Sequence, residues 1–293
     1  MSGIPAAEVR IDLALVAALI REQFPQYAGR SLQHFASGWD NVIVRLGADL
    51  LVRLPRRKVA VSLIEHEQRW LPVLARRLPM PVPEPIHAGR PCPRFPWPWS
   101  VTRWIPGESA DVSGLHADQA PRLAVFLKAL HRPAPEEAPA NPVRGVPLPS
   151  RAAVVTERMA RLEQTTESVS ARVVAVWREA LEAPLGTERQ WLHGDLHPAN
   201  ILAHEGRIVG VIDWGDLCGG DIATDLAALW MLFDRPRRQE ALAAYGNIDE
   251  ATLARAKGWA VLFAVILLDT GLVDDKRQAK VGAATLARIT NDR

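Results

Sequence analysis

The chain has 293 residues, of which 48% are hydrophobic and 23% are charged, as is ordinary for a globular protein of one large or two closely packed domains. Its 35 basic and 33 acidic residues nearly balance and are scattered, so a nucleic acid partner is not expected. The two cysteines, Cys92 and Cys218, lie far apart, which fits a reducing compartment better than a disulfide scaffold.

The first hundred residues predict a small β-rich unit. Apolar residues at helical spacing indicate a helix that ends before Pro25, and a second amphipathic helix follows three short strand-like runs. Alternating prolines over 79–85 then force an extended connection before a last strand. The expected helices span 6–24 and 60–78, and the expected strands span 32–36, 42–46, 50–54 and 97–105.

Beyond Gly107 the pattern becomes mainly helical. Residues 132–149 form a proline-rich surface excursion, and 191–214 form a hairpin with strands at 201–203 and 208–212. Helical patterns cover 118–131, 150–182 (two helices), 222–233, 237–245, 250–270 and 274–290. We therefore predict an α+β, bilobal fold, with a small β-rich lobe at 1–105 and a larger, mainly helical lobe at 106–293.

The start of the chain lacks the basic and apolar regions of a signal peptide. Its longest apolar stretch, 259–268, is about half of the ~20 residues needed to span a bilayer. We therefore expect a cytoplasmic protein that has no membrane and no obligate protein partner.

The most informative motif is His193-Gly-Asp-Leu-His-Pro-Ala-Asn-Ile-Leu202, which is followed by Val211-Ile-Asp-Trp-Gly215. It places Asp195, Asn200 and Asp213 at intervals of 5 and 13 residues. A carboxylate followed five positions later by an amide is the base-plus-magnesium pair of the kinase catalytic loop, and Asp-Trp-Gly is a variant of the magnesium-binding Asp-Phe-Gly. These spacings predict a small-molecule kinase.

Each of the three side chains has an expected role. Asp195 would accept the proton of the attacking hydroxyl, or orient that hydroxyl, while Asn200 and Asp213 would supply oxygen ligands to Mg²⁺. The alternative is that His-Gly-Asp is a turn and Asn200 a strand cap. The flanking strands and the separations favour the catalytic interpretation.

Two positions differ from the protein-kinase pattern. Gly194 replaces the Arg that, in many protein kinases, contacts the phosphorylated activation loop. We therefore expect activity without activating phosphorylation. His197 stands where protein kinases place a Lys near the transferred phosphate. Its imidazole would either donate a hydrogen bond to that phosphate or order the loop, and the sequence leaves both open.

The run from His193 to Asn200, together with Ile212-Asp-Trp214, resembles the aminoglycoside phosphotransferase family, also called the choline-kinase-like group. The resemblance extends over nearly the whole chain and implies a protein-kinase-like fold. In that fold 1–105 would be the nucleotide-binding lobe and 106–293 the catalytic and substrate-binding lobe. The resemblance further implies transfer of a phosphate from ATP or GTP, with Mg²⁺, to a small hydroxylated or amino-sugar substrate.

The same resemblance implies nucleotide-binding residues in the first lobe. Ser37 and Gly38 would lie in the nucleotide loop, where free N–H groups would bind a phosphate. Arg53 would pair with the phosphates and with Glu67 on the following helix, Glu65 being the alternative partner. The hinge would offer backbone groups to the base, and its residues are Thr102, Arg103 and Ile105.

Three further residues have less specific expectations. Asp225 should accept backbone hydrogens and brace the catalytic loop. Asp216 would assist the metal, face the substrate or occupy a turn. His131 ends a helix and is expected as a cap or core residue.

Two other function classes remain open. A metal-dependent hydrolase would use His193, Asp195, His197 and Asp213 as ligands, although the chain lacks H-E-x-x-H. A catalytically inactive kinase fold would serve as a binding module. Within the kinase hypothesis the acceptor is undetermined, and aminoglycosides, macrolides, sugars and choline-like alcohols all remain candidates.

Overall fold

The computed structural model describes residues 6–292 and contains two compact units. The first unit comprises the described residues up to Arg77 together with Pro81–Pro106 and Ile212–Gly215. The second comprises Leu78–Met80, Gly107–Val211 and the described residues from Asp216 onward. The Asp-Trp-Gly segment thus belongs to the first unit, although the strand that precedes it belongs to the second.

The first unit is a five-stranded antiparallel sheet with two helices. Its elements are α1 (Leu13–Gln23), β1 (Leu32–Ser37), β2 (Asn41–Leu46), β3 (Leu50–Pro55), α2 (Val61–Ala75), β4 (Pro85–Gly89) and β5 (Trp99–Arg103). The strand order is β1-β2-β3-β5-β4, so β3 is central. Buried side chains of α1, the strands and Phe95 form its core.

Two boundaries in the first unit differ from the sequence prediction for local reasons. The helix expected from residue 6 begins at Leu13, because the Asp12 carboxylate accepts the N–H of Leu15 at 2.9 Å and caps it there. The prolines at 79–85 predicted only an extended connection, yet Pro85 opens β4. Proline is tolerated there because β4 lies at the edge of the sheet.

The second unit is mainly helical, as expected. It holds β6 (Glu108–Ser109), α3 (Ala110–Ser113), α4 (Gln119–Leu130), α5 (Ala152–Glu163), α6 (Ala171–Glu182), β7 (Gln190–Leu192), β8 (Ile201–His204), β9 (Arg207–Val211), β10 (Cys218–Gly220), α7 (Ala223–Leu226), α8 (Ala228–Leu232), α9 (Arg235–Tyr245), α10 (Glu250–Asp274) and α11 (Lys276–Thr290). Two small antiparallel sheets, β6-β8-β9 and β10-β7, carry the predicted hairpin. The helix expected over 222–233 is divided into α7 and α8.

Helix α10 is the core helix of the second unit and packs against α11, α6, α7 and α5. Its 25 residues are long and apolar enough to cross a membrane by length and composition alone. However, 67% of the most apolar window is buried within the protein. The apolar character of α10 is therefore accounted for by packing against its neighbouring helices.

Both cysteines carry free thiols. Cys218 is buried in β10, and burial raises the pKa of its thiol well above the ordinary value. Cys92 is half-buried in the first unit, where its backbone pairs with that of Phe95.

Gly258 sets how closely α10 approaches its neighbours. A Cβ built there would lie 2.5 Å from the Cβ of Ala180 on α6 and 2.4 Å from Leu148 Cδ2. The Ala180 methyl cannot rotate away, so Gly258→Ala should force the helices apart. We expect the free energy of unfolding to fall by about 1–3 kcal/mol, measured by urea denaturation. Gly29→Ala is the control because nothing lies within 4 Å of its Cβ position, and equal stability of the two variants would contradict the prediction.

Candidate active site

The catalytic loop lies between β7 and β8 and is fixed by the carboxylate of Asp225. The N–H groups of His193 and Gly194 donate to Asp225 Oδ2 and Oδ1 at 2.7 and 2.9 Å. Asp225 is fully buried at the start of α7. This geometry confirms the expectation that Asp225 accepts backbone hydrogens and braces the loop.

Behind Asp225 lies a buried polar chain of two residues. His131, at the end of α4, brings Nε2 to 3.4 Å from Asp225 Oδ2, and its Nδ1 lies 2.9 Å from the hydroxyl of Tyr245. Burial, with the nearby charge of Asp225, raises the pKa of Tyr245 to about 12, so its hydroxyl stays protonated. His131 is thus a core residue, as expected, and it links α4 and α9 to the catalytic loop.

Gly194 is required by the conformation of the loop. Its φ is +85°, in the left-handed region, and a Cβ there would lie 2.4 Å from the carbonyl oxygen of Asp216. The structure therefore explains the absence of Arg by backbone geometry. The expectation that no activating phosphorylation is needed stays a prediction.

Asp195 is held between two basic side chains. Arg144 donates from Nη2 to Asp195 Oδ1 at 2.7 Å, and His197 Nε2 lies 3.5 Å from Asp195 Oδ2. Burial raises the pKa of Asp195, but the charge of Arg144 and the interaction with His197 outweigh it and hold the pKa well below its usual range. Asp195 is therefore an ionised hydrogen-bond acceptor at physiological pH.

Asn200 is buried and faces the same loop. Its Nδ2 donates to the backbone carbonyl of Asp195 at 2.9 Å, which leaves the amide oxygen Oδ1 as the atom suited to a metal ion. His197 Nδ1 accepts the N–H of Ala199 at 3.3 Å and caps the turn Pro198–Asn200. These contacts are those of a loop-ordering residue, one of the two roles expected of His197; a phosphate contact stays a prediction.

Arg144 is a site residue that the sequence interpretation did not identify. It lies in the proline-rich excursion, 51 residues before its partner Asp195. No sequence periodicity marks the position of Arg144. The only local sign of an ordered segment is that Asn141 and Gly145, two residue types common in turns, lie on either side of it. Asp216 holds this segment by accepting the Nδ2 hydrogen of Asn141 at 2.7 Å. Its roles toward a metal ion or the substrate stay predictions.

In the first unit, the predicted pair of Arg53 and Glu67 is present and buried. Arg53 Nη1 donates to Glu67 Oε2, so Glu67, rather than Glu65, is the partner. Arg53 also lies 3.6 Å from Asp213, measured from Nη2 to Oδ1. Burial, opposed by Arg53, raises the pKa of Glu67 to about 7.

Asp213 presents its carboxylate from a strained turn. Its φ is +62°, and its side chain is 60% exposed. An exposed carboxylate oxygen and a neutral amide oxygen are the hard ligands that Mg²⁺ takes alongside water and phosphate, so Asp213 and Asn200 fit the ion in chemical type. Asp213 joins Arg53 and Glu67 in the first unit, while Asp195, Asn200 and His197 are together in the second.

The nucleotide-loop residues have a different environment from the one expected. The N–H of Gly38 donates to the Asn41 carbonyl at 2.9 Å, which closes the turn between β1 and β2. It is therefore not a free donor, because the hairpin uses it. The Ser37 hydroxyl lies 2.9 Å from His34 Nε2.

At the predicted hinge, Thr102 is fully buried on β5, and its hydroxyl has no hydrogen-bond partner among residues 6–292. Ile105 is nearly buried, whereas Arg103 is exposed at the end of β5. The N–H of Trp104 donates to the Asp49 carbonyl at 2.8 Å. Binding of the base by this segment stays a prediction.

The hydrolase alternative receives no geometric support. Over residues 6–292, no group of three or more His, Cys, Asp and Glu side chains is arranged to hold a metal ion. His193 is fully buried, and its Nδ1 accepts the N–H of Asp195 at 3.2 Å. The imidazole therefore orders the loop.

Comparison with known proteins gives a consistent family and fold. A family model described as the phosphotransferase enzyme family matches residues 31–259, which is 229 of the 293 residues. No curated protein sequence matches.

Among solved structures, the GDP complex of aminoglycoside 2'-phosphotransferase-IIIa is 19% identical, with a TM-score of 0.71 over 97% of this chain and 100% of that one. The macrolide 2'-phosphotransferase of Brachybacterium faecium is 22% identical, with a TM-score of 0.63 over 93% and 98%. This likeness confirms the predicted α+β, kinase-like fold.

The dependence of the catalytic loop on Asp225 can be tested with Asp225→Asn. The amide of Asn has one acceptor oxygen instead of two, and its NH₂ group would face a backbone N–H donor. We therefore expect the free energy of unfolding to fall by about 1–3 kcal/mol. Hydrogen exchange at the amides of His193 and Gly194 should also accelerate. Asp249→Asn, which keeps a capping oxygen for the Thr252 N–H, is the matched control. If both amides exchanged at the wild-type rate, the bracing role would be wrong.

Proposed function

We propose, because this chain belongs to the phosphotransferase enzyme family, that it transfers the γ-phosphate of ATP or GTP to a hydroxyl group of a small molecule. Structures of similar fold include an aminoglycoside and a macrolide 2'-phosphotransferase, and one was solved with GDP. The observation that carries the proposal is the buried Asp225 carboxylate, which fixes the loop holding Asp195 and Asn200.

In the proposed reaction Asp195 receives the hydroxyl of the acceptor. The acceptor oxygen bonds to the γ-phosphorus as the bond from that phosphorus to the bridging oxygen breaks, and the nucleoside diphosphate leaves with the electron pair. The hydroxyl proton passes to Asp195 and then to solvent. Because Arg144 and His197 hold the pKa of Asp195 low, it is a weak base that orients the hydroxyl and takes the proton late, as a loose transition state allows.

The remaining site residues are proposed to bind the nucleotide. Asn200 Oδ1 and the Asp213 carboxylate would hold Mg²⁺, which would supply positive charge to offset that of the phosphates. Arg53, oriented by Glu67, would pair with the phosphates. The nucleotide would further contact the loop residues Ser37 and Gly38 and the hinge residues Thr102, Arg103 and Ile105.

The identity of the acceptor and the location of the protein belong to the same proposal. The related structures include a complex with GDP and kanamycin, which supports a small hydroxylated ligand as a class. We propose a cytoplasmic enzyme that uses such a ligand without a nucleic acid or membrane partner.

Asp195→Asn tests the assignment of the base. The amide keeps the size of the side chain but cannot accept the proton, so transfer should fall by at least about a hundredfold while Mg-nucleotide affinity stays close to wild type. The measurement is ADP or GDP release over aminoglycosides, macrolides, sugars and amino alcohols, with nucleotide affinity measured by titration. Asp249→Asn is again the control, and turnover by Asp195→Asn at the wild-type rate would reject the role.

Asp213→Ala tests the magnesium assignment. Loss of the anionic ligand should weaken nucleotide affinity about tenfold or more in Mg²⁺ and leave it unchanged in EDTA, as measured by calorimetric titration. Asp213→Asn is the informative companion, because Asn tolerates a positive φ and removes only the charge. A magnesium dependence equal to wild type in both variants would contradict the assignment.

A further inference from the structure

The position of Arg144 has a consequence for the acceptor. Its guanidinium lies 2.7 Å from Asp195 Oδ1, on the residue proposed to receive the acceptor hydroxyl. Any acceptor that reaches Asp195 therefore also meets a fixed positive charge. Only 16% of the Arg144 side chain is exposed.

The segment that carries Arg144 is rigidly attached to the second unit. Asn141 Oδ1 accepts the N–H groups of Val143 and Arg144 at 2.9 and 3.0 Å, and Asn141 Nδ2 donates to Asp216. Gly145, with a φ of +64°, packs so closely on Gly220 that a Cβ at 145 would lie 3.1 Å from the Gly220 Cα. The segment thus presents Arg144 in a defined place.

The guanidinium of Arg144 has N–H donors that no hydrogen bond within the described part of the chain uses. It lies over the ring of Phe263, 4.8 Å from the centroid, and its Nη2 is bonded to Asp195. Its Nε is buried and has no hydrogen-bond partner within the described part of the chain. Because Nε is shielded from solvent, it is not the donor that a ligand would reach. None of the hydrogen bonds found over residues 6–292 uses Nη1, so Nη1 is the donor that remains for a ligand oxygen.

A second cation near Arg144, Arg151, which is unpaired among the described residues, also favours an anion. Arg151 follows on the same segment, its Nε is likewise buried without a partner, and it forms none of the ion pairs found over residues 6–292. Nearby carboxylates already have partners: Asp195 has Arg144 and His197, and Asp269 has Arg158 and Arg161. Asp216, the further carboxylate beside this segment, accepts from Asn141. Among the ion pairs found over residues 6–292, none gives Arg151 a carboxylate partner.

We infer that Arg144 is an acceptor-binding residue and that the acceptor carries a carboxylate or phosphate group near the hydroxyl to be phosphorylated. Guanidinium groups match both anions geometrically, whereas an ammonium group placed there would be repelled. The inference rests on the proposed function and narrows its acceptor class. It predicts that polycationic acceptors are poor substrates.

Two sets of matched probes test the inference with MgATP as donor and ADP release as the measurement. The first set is gluconate, sorbitol and glucamine, which are six-carbon polyols carrying a carboxylate, a hydroxyl and an ammonium. The second set is glycerol 3-phosphate, glycerol and 3-aminopropane-1,2-diol. We expect the anionic member of at least one set to exceed both relatives in kcat/KM by about tenfold or more. The set that responds distinguishes a carboxylate from a phosphate acceptor.

Variants then separate anion binding from orientation of Asp195. Arg144→Gln should lower kcat/KM for the anionic probe about ten- to hundredfold, mainly through KM, and remove its advantage over the neutral probe. Arg144→Lys should give an intermediate kcat/KM for the anionic probe, because it keeps the positive charge but loses the paired N–H donors of the guanidinium. A purely orienting role would lower turnover of all three probes equally. Arg161→Gln, which removes a surface arginine paired with Asp269, is the matched control and should leave the preference unchanged.

Preference for a neutral or cationic probe, or an anion preference that survives in Arg144→Gln, would overturn the inference and leave the proposed function intact. If none of the six probes is turned over, the inference is tested by the melting temperature of the MgADP-bound protein during titration with gluconate and glycerol 3-phosphate. A rise in melting temperature that is lost in Arg144→Gln supports the inference. No rise in the wild-type protein overturns it. Failure to bind MgATP, with no ADP release over the broad acceptor screen, would instead reject the proposed function.

Discussion

The carboxylate of Asp225 and two backbone N–H groups stabilise each other, and the catalytic loop depends on that contact. A fully buried carboxylate is costly without hydrogen-bond donors, and the N–H groups of His193 and Gly194 would be equally costly without acceptors. Each therefore offsets the desolvation of the other. His131 and Tyr245 extend the contact to α4 and α9, so three helices determine where Asp195 lies.

The first unit uses a buried charge differently. Arg53 and Glu67 are an ion pair in the interior, where mutual attraction must offset desolvation, and Glu67 Oε1 has no hydrogen-bond partner within residues 6–292. The raised pKa of Glu67 reflects that incomplete compensation. Arg53 also lies close to the exposed Asp213. Glu67 therefore holds the Arg53 guanidinium in a defined place, and the pair contributes little to stability by itself.

Sequence reasoning succeeded where the signal is local. Helical periodicity predicted α2 and α4, and the spacing within one loop predicted that Asp195 and Asn200 lie close together, as they do. It missed β4, because prolines argue against a strand unless the edge position is known. It also predicted free N–H groups in the loop that contains Gly38, and it could not show that the β1–β2 turn uses the Gly38 N–H, because that depends on hairpin register. Arg144 could not be found, because 51 residues of chain separate it from Asp195 and only tertiary packing joins them.

The two cysteines differ in a way that is useful for spectroscopy. Cys218 is shielded inside β10, and the raised pKa of its thiol keeps it from forming the reactive thiolate. Cys92 is partly accessible and lies in the unit that contains Arg53 and Asp213. A maleimide dye or nitroxide should therefore attach selectively at Cys92, which makes the wild-type chain suitable for single-site labelling without removing a cysteine.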